Sequence, residues 1–549
     1  MCQSNINQAV IEYSFKNNGK VAENYSLKML YNNGIVSYKM IGKVTDTKEQ
    51  QFLDLNNKKT IQLLTIDKNE KYIYSKPFSD YEQGEVTDES ESILGYKCKK
   101  AIFKIKSNTI EVWFTDELDI KGTPYISVAP GLGLVLKVIR NNDYEVYARN
   151  IEFRNLTEEE KDYTFENSKE VDDKIFLRKL IDSRYQTIQV FNHEQINFGD
   201  TINNPSEELT NYTYRYSKGT VLLKKIRLPK IYDGSIVIAE INSWSNGDAY
   251  DRTGSLFIIP TNNKINFLDA FKHGIEKLPI YFDKNGSEFQ GVVCNNNYEP
   301  PLELIRFFTP FGVGGFNNYT KIDGYNWADS AKYSQEITKI IPHNGEDVWV
   351  GIFIGNYDKG GHKVSVKLKI HPPFQKSETI NKVWIKPIFN TLNIMEMSDQ
   401  NYGTMFHNDS LKVTVEIPEG IESLSLRYAS TGHGGWGGGD EFNPKVNEIL
   451  IDDELIYKFI PWRDDCATYR LLNPSSGNFG NGLTSSDLSR SNWCPGSVTI
   501  PEIIKLNNIL PGLHTFKIAI PIGEKEGGSF SAWNISGTLI GEYKNTDDK

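Results

Sequence analysis

The chain has 549 residues, 39% of them apolar, with 29 Tyr, 28 Phe and 9 Trp, which excludes a disordered protein and is too long for a single core. Its 61 basic and 71 acidic residues leave a net charge of −10 with no concentrated Lys/Arg block, which argues against a nucleic-acid partner. No apolar run approaches the ~18 residues that a bilayer span needs.

At roughly 150 residues per domain we expect three domains. The sequence opens Met1-Cys2-Gln3 and runs directly into polar residues, with no basic and apolar leader. If the protein is exported its leader has been removed, and Cys2 is then either a lipid-bearing first residue or an accident of where the sequence begins. Residues 9–15, 61–66, 101–105, 109–114 and 145–151 alternate apolar and polar side chains between Asn, Gly and Asp turns, so residues 1–166 read as an antiparallel β-domain. Residues 94–101, Val112-Trp113-Phe114-Thr115 and the Pro-Gly turn at 128–136 resemble the GLPGLI family of Bacteroidetes envelope proteins. Its naming motif stands here at 129–134, departing at Ala129 and Gly133. That resemblance implies an exported bacterial protein and no particular chemistry.

The charged run that follows, opening Thr157-Glu158-Glu159-Glu160, breaks the β rhythm and has the composition to cap a short helix. Residues 167–186 are read as a linker. Strands resume at 235–241, 255–259, 304–308, 348–354 and 363–370. In the last of these Val364, Val366, Leu368 and Ile370 face one way, and Lys363, Ser365, Lys367 and Lys369 the other. Pro372-Pro373 stops this set, and a second follows at 411–417, 423–428, 448–451, 498–500, 515–519 and 529–540. We therefore expect a mostly β chain in which two side-by-side β-sandwiches, 187–373 and 374–549, follow the N-terminal domain.

Five cysteines cannot all pair, and none forms the C-x-x-C spacing of a zinc or redox site, so no metal or cofactor is indicated. Cys466 and Cys494 lie in a Gly/Ser/Asn-rich region, 461–496, where a bridge would staple a long irregular connection. We expect that disulfide, an oxidising compartment, and buried free thiols at Cys98 and Cys294.

Three loops are rich in groups that do chemistry. Residues 431–442 carry six glycines, His433, Trp436 and the acidic pair Asp440 and Glu441 before Phe442. Residues 246–252 contain Asp248, Tyr250, Asp251 and Arg252, and residues 489–496 contain Arg490 and Trp493 ahead of Cys494-Pro495-Gly496. Taken together these loops resemble, over about 188–543, the bacterial peptide-N-glycosidase F family, amidases that remove N-linked glycans and are built from two jelly rolls. The family's Asp-x-aromatic-Asp-Arg loop puts its catalytic Asp at Asp251. Its second carboxylate, a Glu before an aromatic, falls on Glu441, and its Arg and Trp on Arg490 and Trp493. A third family acid falls on Gly355, with Tyr357 at the following aromatic position and Asp358 nearby. The flanks of Asp248 and Glu441 lack the cysteines of two further family disulfides, and the additional N-terminal domain sets the chain among the longer, less typical members.

The resemblance implies an enzyme acting on N-glycoproteins and glycopeptides, monomeric and exported, without a cofactor. Asp251 then acts as general base or acid at the scissile amide, and Glu441 orients the water or holds the sugar. Arg252 and Arg490 supply positive field. Tyr250, Tyr357, Trp436, Phe442 and Trp493 offer ring faces to sugar, Asp248 accepts hydroxyl hydrogen bonds, and His433 is counted with these substrate-binding groups, as a loop hydrogen-bonding residue rather than a catalyst. Two other readings remain open: a lectin-like protein without turnover, and an endoglycosidase cutting between sugars with two carboxylates.

Overall fold

The computed structural model describes residues 7–42, 48–199, 202–312, 314–319, 321–373, 379–380, 382–400, 402–403, 405–407, 409–434, 439–476, 484–522 and 531–543. The chain divides into two compact units, Met1–Tyr185 and Gln186–Lys549.

The first unit is built on one long sheet in which the opening strand, Gln8–Asn17, lies in the middle, between Ser26–Asn32 and Tyr144–Glu152. Alternation explains its burial: Ile11 and Tyr13 point into the core, and the Tyr13 hydroxyl donates to the Val135 carbonyl at 2.6 Å. The charged run does not form a free linker. Lys169–Glu170 adds to the sheet beside Lys71–Pro77, and a helix follows at Asp173–Asp182, its start capped by the Asp172 carboxylate on the Ile175 amide at 2.9 Å. Phe176 on that helix is buried and Lys179 pairs with Glu70 at 3.1 Å, so the apolar stripe of a short, highly charged helix is enough to draw it onto the sheet.

The second unit contains two sandwiches. In the first, one sheet comprises Gln186–Ile196, His362–His371, Ile236–Ser245 and Ala331–Glu336. It faces a sheet made of Thr213–Tyr216, Val221–Arg227, Asp347–Ile354, Thr253–Ile259, Leu302–Phe308 and, last, Val498–Thr499. The second sandwich pairs the sheet Val383–Asn390, Ala532–Tyr543, Ile421–His433, Glu502–Lys505 with the sheet Leu411–Ile417, Gly512–Ala519, Asn447–Ile451, Glu454–Phe459. Each has its own apolar core, and Val364, Val366 and Leu368 lie in the first as their alternation requires.

Val498–Thr499, expected in the second sandwich, instead pairs with Arg306 and Phe307 of the first. The segment leading to it therefore crosses from one sandwich to the other. Between them lies a fully buried charged cluster. Arg306 holds Glu303 at 2.8 Å and donates to the Asn534 carbonyl at 2.6 Å and to Thr431 Oγ1 at 3.1 Å. Arg427 caps the carbonyls of Glu303 and Leu304 at 2.9 and 2.8 Å. These directional bonds lock the sandwiches in one register, where apolar packing alone would tolerate sliding.

Candidate active site

The loop 246–252 leaves the end of Ile236–Ser245 and is pinned from three sides. Gly361 accepts from the Asn246 amide at 2.8 Å, Thr309 Oγ1 accepts from the Arg252 amide at 2.7 Å and donates to the Tyr250 carbonyl at 2.7 Å, and the Gly312 amide donates to Ala249 at 3.1 Å. Gly361 has to be glycine. Its φ is +59° and an added Cβ would sit 2.3 Å from the Ile196 carbonyl oxygen.

Asp248 is buried within this loop. It accepts from the Tyr250 amide at 3.0 Å and from Arg252 Nε at 2.7 Å, with His362 Nε2 at 3.7 Å. Burial raises its pKa, but His362, Arg252 and the Tyr250 amide together outweigh that and hold the carboxyl below its ordinary range. Asp248 is thus occupied in fixing Arg252, which corrects the expectation that it receives sugar hydroxyls. Arg252 is flanked by the rings of Tyr250 and Tyr357, with centroids at 4.9 and 5.5 Å. Those rings are 61% and 56% exposed and present open aromatic surface.

Asp251 projects toward the other sandwich, where Glu441 comes to meet it. Both carboxylates engage the same nitrogen, Arg490 Nη1: Asp251 Oδ2 at 3.3 Å, and Glu441 Oε1 in a direct hydrogen bond. Arg490 is fully buried and lies on the crossover segment, backbone-bonded to Arg463. Its Nη2 donates to the Ser485 carbonyl at 2.7 Å and to Ser485 Oγ at 3.1 Å, and its Cζ lies 4.4 and 5.0 Å from the ring centres of Trp493 and Phe442. Burial pushes the Asp251 carboxyl from 3.8 up to about 7; Arg490 works against the rise and the Glu441 charge adds to it. Glu441 is likewise raised by burial and opposed by Arg490. Two carboxylates thus share one guanidinium, both raised by burial and Asp251 to about 7, the kind of perturbation that marks a candidate functional site.

The glycine-rich loop is anchored on both sides of its acidic end. Asp440 is buried, accepting from Trp533 Nε1 at 2.8 Å, and the Ser491 amide donates to the Glu441 carbonyl at 3.0 Å. Trp436 lies outside the described residues. Trp493 is buried, stacked on Phe308 with centroids 4.3 Å apart and donating to the Gly432 carbonyl at 2.9 Å. Its place is underneath Arg490, which corrects the expectation of a sugar-stacking face. His433 bonds Thr431 Oγ1 at 2.9 Å and lies against Phe308 and Trp493. Burial, with Arg306 and Arg490 nearby, pushes its pKa down to about 3, so it stays neutral. Phe442 is partly exposed at the rim. Cys466 and Cys494 form a disulfide that ties the crossover segment two residues after Asn492, while Cys98 and Cys294 are buried free thiols.

One carboxylate of this site has no sequence signal. Glu396, in a short turn after Val383–Asn390, accepts from the Tyr357 hydroxyl at 2.5 Å, and its Oε2 is 3.8 Å from where a Cβ on Gly355 would stand. The acid absent from position 355 thus has a carboxylate beside it that arrives from the other half of the unit.

Comparison with known proteins gives consistent matches along the chain. Residues 187–370 match the family model described as peptide-N-glycosidase F, N terminal, and residues 401–540 that described as peptide-N-glycosidase F, C terminal. Residues 11–176 match the family model described as N-glycanase peptide, N-terminal domain, in place of the envelope family that the Pro-Gly motif suggested. A solved structure of PNGF-II in space group C2 is 40% identical, covers 99% of each chain and superposes with a TM-score of 0.87. A second PNGF-II structure, in P21, is also 40% identical, covering 98% of this chain and 100% of its own at a TM-score of 0.88. A PNGase F structure, described as a glycosylasparaginase from Flavobacterium meningosepticum, is 17% identical over 66% of this chain and 96% of its own, with a TM-score of 0.45. No match is found among curated proteins.

Proposed function

The chain belongs to the peptide-N-glycosidase F family, and from that premise we propose that it hydrolyses the amide joining Asn to the first GlcNAc of N-linked glycans. The observation that carries this reading is the sharing of Arg490 by Asp251 and Glu441, one from each sandwich. Water adds to the amide carbonyl, the C–N bond breaks, and Asn becomes Asp while the glycan leaves as a glycosylamine that loses ammonia in water. The chemistry needs a group that takes a proton from water and returns one to the leaving nitrogen. Asp251, near 7, is suited to both transfers. Glu441, held by Arg490, orients the water. Arg490 and Arg252 stabilise negative charge developing on the carbonyl oxygen. Tyr250, Tyr357 and Phe442 offer ring faces to the first sugars, and Glu396 supplies a carboxylate in place of the one missing at Gly355. The Cys466–Cys494 disulfide supports a working place outside the reducing cytosol, on N-glycoproteins and glycopeptides.

The test is to incubate the protein with a glycopeptide and weigh the peptide. Amidase activity leaves Asp with no sugar. A single GlcNAc retained on Asn overturns this reading in favour of an endoglycosidase, and an unchanged glycopeptide that nonetheless binds leaves a lectin.

A further inference from the structure

Beside the catalytic loop, an aromatic shelf has no part in the chemistry just described. Tyr325 is 50% exposed, and one face of its ring rests on Trp327, with centroids 5.5 Å apart and planes 26° apart. Trp327 is only 4% exposed and is held rigidly. Asn317 brackets its backbone, accepting from the Trp327 amide at 3.1 Å and donating to its carbonyl at 2.7 Å, and the Arg470 guanidinium lies 5.6 Å from its ring centre. A buried indole clamped in this way stabilises little on its own surface. What it does is fix the plane of the exposed ring above it, leaving the outer face of Tyr325 open to solvent.

The shelf is joined to both walls of the active site. On the side of the first wall, a Cβ on Gly314 would stand 3.8 Å from both the Asp329 carbonyl oxygen, two residues from Trp327, and the Ser245 carbonyl oxygen, at the start of the 246–252 loop. Toward the second, Arg470 donates to Ser486 Oγ at 3.2 Å, next to Ser485, which holds Arg490. The Ala328 amide also donates to the Leu471 carbonyl at 2.9 Å, which ties the shelf to the crossover segment. A rigid, flat, uncharged face is what the axial C–H groups of a pyranose pack on, and this one stands on the segment that borders the 246–252 loop.

The geometry points to Tyr325 as a distal glycan subsite, taking a neutral pyranose beyond the two GlcNAc residues of the substrate; this rests on the proposed amidase reading. It is tested by steady-state release from one peptide carrying either the two GlcNAc residues alone or a complete oligomannose glycan, using wild type, Tyr325→Ala and Tyr325→Phe. We expect Tyr325→Ala to raise KM for the complete glycan about tenfold, with kcat unchanged, to leave the truncated substrate unaffected, and Tyr325→Phe to behave as wild type. An equal change on both substrates, or none on the longer one, overturns the subsite. A KM effect that follows peptide length instead assigns the shelf to peptide and also overturns it. Titration of free oligomannose glycan and free chitobiose into Asp251→Asn protein separates the two proposals. If wild type releases no glycan the amidase reading falls, while a tenfold weaker affinity of the Tyr325→Ala, Asp251→Asn protein for the oligomannose glycan alone still upholds the subsite, and equal affinity refutes it.

Discussion

Replacing Asp251 with Asn removes a group that the fold holds at a cost to its own stability, and the pH dependence of that cost can be worked out. Asp251 titrates near 3.8 when exposed and near 7 when folded, chiefly because its side chain, 18% exposed, is desolvated. Between those values the folded state keeps a proton that the unfolded state has lost, so stability falls as pH rises from about 4 to about 7 and is level outside that window. Every tenfold difference in proton affinity between the folded and unfolded chain is worth about 1.4 kcal/mol, so the full difference corresponds to about 4 kcal/mol as an upper figure. Asn has the same shape and no charge to desolvate. Asp251→Asn is therefore expected to be more stable than wild type by about 2–4 kcal/mol at pH 8 and nearly equal to it at pH 4. Chemical denaturation at the two pH values measures this, alongside glycopeptide release at pH 7, which we expect to fall at least about a hundredfold. A stability difference that is the same at pH 4 and pH 8, or larger at pH 4, would refute the claim that burial sets the Asp251 titration.

Arg490→Met removes the cation opposing both raised carboxyls, so the limb of the pH–rate profile assigned to Asp251 is expected to move upward by about 1–2 pH units while kcat falls about 10²-fold or more. Arg490→Lys keeps charge but cannot serve Asp251, Glu441 and Ser485 at once, and an intermediate loss is expected in the same assay. Glu396→Gln keeps a hydrogen bond to Tyr357 but loses the negative charge; we expect KM for glycopeptide to change about three- to tenfold with little effect on thermal stability, read by kinetics and calorimetry together. Replacing Cys466 and Cys494 by Ser opens a loop closed across 28 residues, and about 3–4 kcal/mol of stability should be lost, measured by denaturation with and without reductant.

Alternation made the sheets legible: the period-two pattern of 363–370 follows from one buried and one wet face, and the structure buries Val364, Val366 and Leu368. The three loops were legible as carriers of chemistry because residues that weaken strands were gathered with carboxylates and arginines. What each side chain does once placed was less accessible. Asp248 and Trp493 read as sugar contacts because an acid and an aromatic in a loop look alike whether they face solvent or a neighbour. In the fold, the first is consumed by Arg252 and the second by Phe308 and Gly432. Glu396 left no trace because its role depends on a neighbour, Gly355, that is remote in sequence. Nor did pattern reveal that Val498–Thr499 belongs to the first sandwich, since two residues are too few to display a period and their pairing is decided by the free edge of Leu302–Phe308.

That crossover explains why the site is built between two sandwiches. A carboxyl on the rim of one sandwich is solvated and titrates near 4, where it exchanges no protons at neutral pH. Raising Asp251 toward 7 requires a wall against it, and stabilising charge in the same space requires a cation that does not simply neutralise it. Arg490 meets both demands because it is carried on neither wall: it lies on the strand-to-strand passage that ends in Val498–Thr499, is fixed by Ser485 and the Cys466–Cys494 bridge, and divides one nitrogen between Asp251 and Glu441. The buried Glu303, Arg306 and Arg427 cluster then has a functional consequence. By setting the angle between the sandwiches it sets the distance between two carboxylates that share no secondary-structure element. Arg427→Met, which removes the guanidinium bonds to the Glu303 and Leu304 carbonyls and the cation beside the buried Glu303 carboxylate, is expected to cost about 3–5 kcal/mol of stability, read by chemical denaturation. It should also lower kcat more than it raises KM, because in the proposed reaction the scissile bond depends on the mutual placement of the carboxylates, while Tyr250 and Tyr357, the proposed sugar contacts, both belong to the first sandwich. Equal loss in both parameters would assign the cluster to stability alone.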